Sequence, residues 1–259
     1  KEKYLKEFEN LIGFKKEMLE KRSINICIRL RNKNFNKLDP KRSNTLRDGN
    51  LESYKYIINY LLKNYNYILF ITGDCDEINI KNKNLIYYNK VKNKITRDFF
   101  QIGIQSLSRY HIMNLTGANQ IMRYNKCKFL YVDCWPPMTL SANSVLLYKN
   151  ISFKKKSVKI NSYVKDYFND LKKGSKINPF KTSYTIYKKY LDANKYFITK
   201  NTKKQILKSV REFMELIKED KSNKYFKNKL FYMFPKMYQK VLLKNKCLLS
   251  NGNLISEKK

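Results

Sequence analysis

Short hydrophobic runs alternate with longer amphipathic stretches along the first 150 residues of the chain. Apolar runs of about four to eight residues, bounded by polar or turn-forming residues, are typical of buried strands. Six such runs lie at 24–31, 67–73, 85–88, 110–115, 129–133 and 144–148. Apolar residues at helical spacing predict helices at 3–22, 51–64, from 97 onward and at 116–124. Asn50 and Thr96 are the candidate N-caps of the second and third of these helices.

Strands and helices that alternate at spacings of about 20–40 residues are typical of βαβ units. Right-handed crossovers between parallel strands place helices on both faces of a sheet. The pattern therefore predicts an α/β fold with a Rossmann-like parallel sheet covered by helices on both faces. After about residue 150 the sequence predicts an edge strand at 196–198 and C-terminal helices. Thr202 caps the first of these helices, and Pro235 kinks or breaks the last, at 227–244.

The composition excludes a disordered chain but leaves the meaning of the charge open. Hydrophobic residues make up 42% of the chain and aromatic residues 14%, which is enough apolar surface for an ordered core. Lys and Arg number 55 against 21 acidic residues, a formal net charge of +34, which favours phosphate-bearing partners. Only nine of these cations are Arg, and the Lys are scattered along the chain. Abundant Lys, Asn, Ile and Tyr are what an A+T-rich coding sequence produces, so the composition argues against nucleic acid.

The excess charge still favours acidic surfaces such as anionic lipid headgroups. A basic α/β module that binds nucleic acid or an anionic membrane without catalysis is therefore the alternative function. Five Cys form no CxxC pair and the chain has one His, which argues against a zinc site and indicates a reducing compartment. Neither GxGxxG nor GxxxxGK[ST] occurs, so we expect no nicotinamide or flavin cofactor and no P-loop. Asp74-Cys75-Asp76 has the D-x-D form of some metal sites, but a turn is the favoured interpretation, and we expect no metal.

Ligands of open parallel sheets bind outside the carboxyl ends of the strands, so polar residues at those ends are the first candidates. They are Arg29, Arg31, Thr72, Gly73, Asp74, Asn114, Thr116, Gly117, Asp133 and Trp135. Arg29 and Arg31 share one face of the first strand, which indicates either an anion site or an ion pair with Asp98 or Asp74.

Two further motifs each have a functional and a structural interpretation. Thr116-Gly117 either receives a pyrophosphate at a helix N-terminus or forms an ordinary strand-to-helix turn. Trp135 either stacks on a base or sugar ring or plugs the core. His111 lies inside an apolar run and is expected to be a packed strand residue rather than part of a nucleophilic triad.

Four segments follow one another in the order ICIRLRNKNF, LRDGNLESYKYIINYLLKNYNYILFITGD, TRDFFQIGIQSLSRYHIMNLTGANQI and NKCKFLYVDCWPP. This ordered set resembles a family of bacterial glycosyltransferases from surface-polysaccharide loci. The later stretch YFITKNTKKQILKSVREFMELI resembles the closing strand and helix of that family. The resemblance covers roughly residues 23–220, and the motifs are specific as an ordered set rather than singly.

The family resembles GT-B enzymes, in which two Rossmann-like domains flank a cleft. The resemblance implies that 23–220 is the carboxy-terminal, nucleotide-sugar-binding half. It implies that 1–22 is a linker helix from an N-terminal half outside this sequence, and that 221–259 is a C-terminal helical tail. The expected location is the cytoplasm, with peripheral contact with the inner membrane.

The resemblance also implies roles for single residues. Arg31 and Arg47 match arginines that act on the donor diphosphate, and Arg29 stands where the family often has His. The implied donor-binding set is Arg29, Asn50, Tyr54, Gly73, Asp74, Asp98, Thr116, Gly117 and Trp135. The nucleoside diphosphate that leaves would be stabilised by Arg and helix N-termini without a metal. The implied activity is sugar transfer from a nucleotide-sugar donor to a polysaccharide or lipid-linked acceptor.

Overall fold

The computed structural model of the chain has a central sheet of parallel strands. That structure describes residues 2–28, 51–73, 78, 80–114, 127–134, 143–153, 156–158, 162–166, 169, 191, 195–218, 226–234 and 236–254. The strands of the central sheet are β1 (Ser23–Ile28), β2 (Ile68–Gly73), β3 (Leu85–Tyr87), β4 (Tyr110–Met113), β5 (Lys128–Cys134), β6 (Ser144–Tyr148) and β10 (Cys247–Leu249). Their order across the sheet is β3-β2-β1-β4-β5-β6-β10, and every neighbouring pair is parallel. The α/β fold with a Rossmann-like parallel sheet is confirmed.

Helices cover both faces of this sheet, as the sequence predicts. They are α1 (Glu2–Ile12), α2 (Lys16–Arg22), α3 (Leu51–Asn64), α4 (Tyr88–Val91), α5 (Arg97–Leu107), α6 (Lys203–Lys218), α7 (Lys229–Tyr232) and α8 (Lys236–Lys244), followed by the 3-10 helix η1 (Asn251–Leu254). One core layer joins α3 and α6 to strand residues such as Ile26, Leu130 and Val132. On the opposite face, α1, α2 and α5 pack over β2, whereas α7 and α8 pack over β5, β6 and β10.

A second, antiparallel sheet follows the sixth strand. Its order is β8-β7-β9, with β7 at Asn150–Phe153, β8 at Lys156–Val158 and β9 at Tyr196–Thr199. The strand predicted at 196–198 therefore exists as an edge strand, but it belongs to this small sheet. Ile151, Tyr196 and Ile198 pack against the hydrophobic core that lies between α7, α8 and strands β5 and β6, so the small sheet extends this core.

The predicted helix caps are confirmed where the structure describes them. The Thr96 hydroxyl accepts a hydrogen bond from the Phe99 amide at 3.4 Å. Thr202 and Gln205 form a capping box: the Gln205 amide donates to Thr202 Oγ1 at 3.3 Å, and the Thr202 amide donates to Gln205 Oε1 at 2.8 Å. The predicted bounds of α3 and β6 agree with the structure.

Several sequence predictions need correction. The helix predicted at 3–22 is two helices, because Gly13 adopts a φ of +75° and ends α1. The apolar residue Ile102 does not join the core that the helical spacing from 97 onward predicts: it is 52% exposed, since it lies on the outer side of α5. The C-terminal region is more than a helical tail, because Cys247–Leu249 forms β10 and pairs with β6 in the central sheet.

Other predicted elements lie outside the described residues. They are the helix at 116–124, the cap Asn50 and the break at Pro235, although α7 and α8 flank that proline. No helix in the described part of the chain is long and apolar enough to cross a bilayer.

Candidate functional site

The strand order reverses between β1 and β4, and this point fixes where a ligand crevice can form. From β1 the chain proceeds outward through β2 to β3, and it then returns to β4 on the other side of β1. Crossover helices on the two sides of such a switch point diverge and leave a crevice at the carboxyl edge of the sheet. Here α3, between β1 and β2, lies on one face, and α5, between β3 and β4, lies on the other. A ligand crevice is therefore expected at the carboxyl ends of β1 and β4.

Gly73 ends β2 at this edge, beside the last residue of β1. Its φ is +101°, a conformation that residues with a Cβ rarely adopt. A Cβ at this position would lie 2.1 Å from the carbonyl oxygen of Ile28. The Gly73 carbonyl oxygen also accepts a 3.1 Å hydrogen bond from Gln101 Nε2, which ties the start of α5 to the end of β2. Glycine is therefore required for the two strand ends to approach each other.

Asp133 is a buried acid at the end of β5, only 2% exposed. Its φ of +52° accompanies a shift in the pairing of β5 with β6 between Tyr131 and Cys134. Strict alternation would direct Asp133 to the same face as Tyr131, but the bulge turns it toward the starts of α3 and α6. There Oδ1 accepts a 2.8 Å hydrogen bond from Asn201 Nδ2.

Burial raises the pKa of Asp133 above its ordinary value of 3.8. The positive charge of Lys149, which follows β6, lowers this pKa, as do hydrogen bonds from Asn201 and Ser53, but burial dominates. Asp133 Oδ2 has no hydrogen bond of normal geometry from the part of the chain that is described. The carboxyl group therefore retains capacity to accept a hydrogen bond.

Tyr54 lies in the first turn of α3 and is fully buried. Its hydroxyl lies beside the backbone amide of Asn114 and near Asp133, and burial together with that carboxylate raises the Tyr54 pKa well above 10.0. Within the described segments, neither the Tyr54 hydroxyl nor Asn201 Oδ1 has a hydrogen-bond partner. We call Ser53, Tyr54, Asn114, Asp133, Lys149 and Asn201 the Asp133 cluster. It contains buried polar residues of α3 and of the segments next to β4, β5 and α6, together with the half-buried Lys149 after β6.

The structure describes three of the site residues that the family resemblance implies. Tyr54 belongs to the Asp133 cluster, but it is buried and does not line an open surface. Gly73 lies at the end of β2, and Asp98 is exposed in the first turn of α5, one turn before Gln101. The remaining predicted residues lie outside the described part of the chain: Arg29, Arg31, Arg47, Asn50, Asp74, Thr116, Gly117 and Trp135.

Sequence reasoning identified Asn114 and Asp133 as strand-end residues but missed Ser53, Lys149 and Asn201. Asn201 directly precedes the cap Thr202, and Ser53 lies in the first turn of a predicted helix. Because both helices begin at the carboxyl edge, polar residues at their starts are candidates by the same rule that selects strand ends. That rule could have found Ser53 and Asn201, whereas the bulge that redirects Asp133 has no signal in the sequence.

His111 is a packed strand residue, as predicted, and lies away from the carboxyl edge. Its Nε2 donates to the Ser108 carbonyl oxygen at 2.8 Å, and its Nδ1 accepts from Asn25 Nδ2 at 3.1 Å. Thr72 donates to Asn25 Oδ1 at 2.8 Å, which extends this buried network across β2, β1 and β4. Burial lowers the pKa of His111 to about 3, so the ring is neutral at physiological pH.

The fold and this edge define a doubly wound α/β protein whose polar cluster lies at the carboxyl edge beside the switch point between β1 and β4. No three His, Cys, Asp or Glu side chains come together as metal ligands in the described segments. No family model matches the chain, and no curated protein or solved structure is significantly similar to it.

Proposed function

We propose that this chain is the donor-binding half of a glycosyltransferase and binds a nucleotide-sugar at the carboxyl edge of its sheet. The observation that supports this most directly is the strand order β3-β2-β1-β4-β5-β6, which creates a switch point of the kind that binds nucleotides. The segment with Arg29, Arg31, Arg47 and Asn50 joins the end of β1 to the start of α3, and both points lie at that edge.

The Asp133 cluster supports the site by fixing the starts of α3 and α6 at the edge of the sheet. Asp133 and Asn201 are buried, so they position these helix starts and do not contact the donor directly. The diphosphate requires positive charge, which Arg31 and Arg47 supply, and the first turn of α3 adds the positive end of a helix. Charge that develops on the leaving diphosphate is thus stabilised by guanidinium groups and backbone amides.

Transfer itself needs an acceptor, for which a polysaccharide or lipid-linked sugar is the expected class. The donor loses its bond between the anomeric carbon and the β-phosphate oxygen, and the acceptor hydroxyl forms the new bond while its proton passes to a base. The electron pair of the broken bond leaves with the nucleoside diphosphate. Arg31 and Arg47 act on that leaving group, so their loss should lower transfer as well as binding.

A thermal-shift screen with UDP, GDP, CDP and their sugars tests donor binding, because a ligand of the native state raises the melting temperature. Arg31→Ala is the test variant. Arg109→Ala is the matched control, since Arg109 precedes β4 at the opposite edge of the sheet and pairs with Glu20 at 3.1 Å. We expect one nucleotide class to raise the melting temperature of the wild type and of Arg109→Ala but not of Arg31→Ala.

Two results would contradict this assignment. If a nucleotide still raises the melting temperature of Arg31→Ala, the diphosphate does not bind at Arg31. The absence of any shift with nucleotides, together with a salt-sensitive shift with oligonucleotides, would favour the non-catalytic basic module instead. A transfer assay with the identified donor and a lipid-linked acceptor then tests the reaction itself.

A further inference from the structure

The outer surface of α3 and α6 carries a cationic groove that the proposed donor site does not use. The groove has a volume of about 510 Å³ and is lined by Lys203, Lys204, Leu207, Lys208 and Arg211. The four cations are exposed, whereas nine residues of α6 face the core. We call these lining residues, together with Tyr56 and Tyr60 of α3, the α3–α6 face.

The tyrosines of α3 hold two of these cations in place. The Lys203 Nζ lies 5.2 Å from the centre of the Tyr56 ring. The Arg211 guanidinium lies 5.7 Å from the centre of the Tyr60 ring, and its Nε donates to the Tyr60 hydroxyl at 3.1 Å. Cation–π contacts restrict these side chains without neutralising them, so the groove keeps its charge.

Three described acidic residues lie on or next to this face: Glu52, Glu212 and Glu215. Glu52 is exposed one turn before Tyr56 and pairs with Lys55 at 2.9 Å. Lys208 Nζ is 4.0 Å from Glu212 Oε1, but that carboxylate is buried and accepts hydrogen bonds from Ser250 and Asn251. Glu215 is exposed one turn beyond Arg211, toward the C-terminal end of α6. Lys204 and Lys208 repel each other at i,i+4 spacing unless an anion lies between them.

We infer that the α3–α6 face docks onto a bilayer surface that contains anionic lipid headgroups. Charge complementarity supports this occupant: Lys and Arg near such a surface each strengthen binding, and half-buried tyrosines suit the headgroup layer. The large apolar side chains that the structure shows as exposed, such as Phe197 and Tyr232, lie on other elements. Binding is therefore electrostatic and at headgroup depth, without insertion of an apolar anchor.

Vesicle co-sedimentation with phosphatidylglycerol and phosphatidylcholine mixtures tests this inference. The test variant is K204Q/K208Q, which removes two charges at i,i+4 spacing from the face. The matched control is K236Q/K240Q, because Lys236 and Lys240 are exposed at the same spacing on α8, on the opposite face of the sheet. We expect K204Q/K208Q to weaken partitioning onto anionic vesicles about thirtyfold, and K236Q/K240Q to weaken it less than about threefold.

Salt and lipid composition complete the design. Binding should be lost at about 0.5 M salt and on pure phosphatidylcholine, since both remove the attraction between the cations and the headgroups. Equal losses in the two double variants would overturn the inference, because bulk charge would then drive binding. Absence of vesicle binding, or an oligonucleotide that binds through Lys204 and Lys208 in its place, would also overturn it. The nucleotide-induced shift in melting temperature should persist in K204Q/K208Q, so the two proposals can fail separately.

Discussion

The Asn201 side-chain amide donates a 2.8 Å hydrogen bond to Asp133 Oδ1, which joins the residue before α6 to the end of β5. The carboxyl group also interacts with Ser53 at the start of α3. One buried acid therefore fixes two helices of the same face against the carboxyl edge of the sheet. Because α3 and α6 start at this edge, the position of any ligand bound there depends on Asp133.

Replacement of Asp133 should show this dependence. Asp133→Ala leaves buried donors of Asn201 and Ser53 unpaired, so we expect it to lower the free energy of unfolding by about 3 kcal/mol. Asp133→Asn keeps an acceptor for Asn201 and should cost about 1 kcal/mol. Urea unfolding of both variants measures the difference. An alanine variant as stable as the asparagine variant would contradict the role of Asp133 as a shared hydrogen-bond acceptor.

The raised pKa of Asp133 predicts the sign of a pH effect. Above its ordinary value of 3.8, the unfolded chain releases this proton, whereas the folded chain retains it up to the raised pKa. The contribution of Asp133 to stability therefore decreases as pH rises through that window. The unfolding free energy of the wild type minus that of Asp133→Asn should therefore decrease as pH rises. An increase in this difference would contradict the raised pKa.

The close approach of Gly73 to Ile28 predicts that a methyl group is not tolerated there. Gly73→Ala combines a φ of +101° with a Cβ 2.1 Å from the Ile28 carbonyl oxygen, so β1 and β2 must move apart. We expect a loss of about 3 kcal/mol or more in unfolding free energy. Gly13→Ala is the matched control: its φ is +75°, but no atom lies within 4 Å of the added Cβ. It should cost about 1 kcal/mol, and equal losses would show that backbone conformation alone matters.

His111 predicts the opposite pH dependence from Asp133. Its pKa falls from 6.5 to about 3 on folding, so between these values the unfolded chain binds a proton that the folded chain does not. Stability is therefore lost as pH decreases through this window, by roughly 2 kcal/mol between pH 6.5 and about pH 5. His111→Gln lacks this titration. The stability of wild type relative to His111→Gln should decrease on acidification. A difference that stays constant with pH would contradict the lowered pKa of His111.

Much of the fold could be predicted because the signals are local. The run Ile68–Gly73 is apolar and strand-sized, and Thr96 and Thr202 precede amphipathic helices at cap positions. Strands that alternate with helices then restrict the topology to parallel crossovers. The elements that were missed have weak local signals. Cys247–Leu249 is a strand of three residues whose pairing partner β6 is about 100 residues earlier in the chain.

The candidate site could be predicted only at the level of the sheet edge. Strand ends identified Gly73 and Asp133, because position along a strand follows from the hydrophobic pattern. The bulge that turns Asp133 toward Asn201 depends on pairing between β5 and β6, which a single sequence does not reveal. A single sequence also does not reveal that Lys149 lies near Asp133, because this proximity requires β5 and β6 to be neighbours in the sheet.

Hydrogen bonds to Glu212 of α6 hold the residues between β10 and η1, and substitution of Glu212 tests how much they contribute to stability. Its carboxylate accepts from Ser250 Oγ at 2.6 Å and from the backbone and side chain of Asn251 at 3.1 Å and 2.8 Å. Glu212→Leu leaves these donors unpaired and should lower the unfolding free energy by about 3 kcal/mol, while Glu212→Gln should cost about 1 kcal/mol. Glu215→Gln is the control, because Glu215 is exposed on the same helix and should change stability by less than about 0.5 kcal/mol.

The cysteines predict which thiols of the native protein react. Cys27, Cys127, Cys134 and Cys247 form no disulfide and are buried, and burial raises the pKa of Cys127 to about 12, so its thiolate is scarce near neutral pH. Thiolates are the reactive form, and a disulfide reagent also needs access to the sulfur. Titration of the folded protein with such a reagent should therefore leave these four thiols unmodified. In denaturant all five should react, and fast native modification of Cys127 would contradict the burial of β5 and its neighbours.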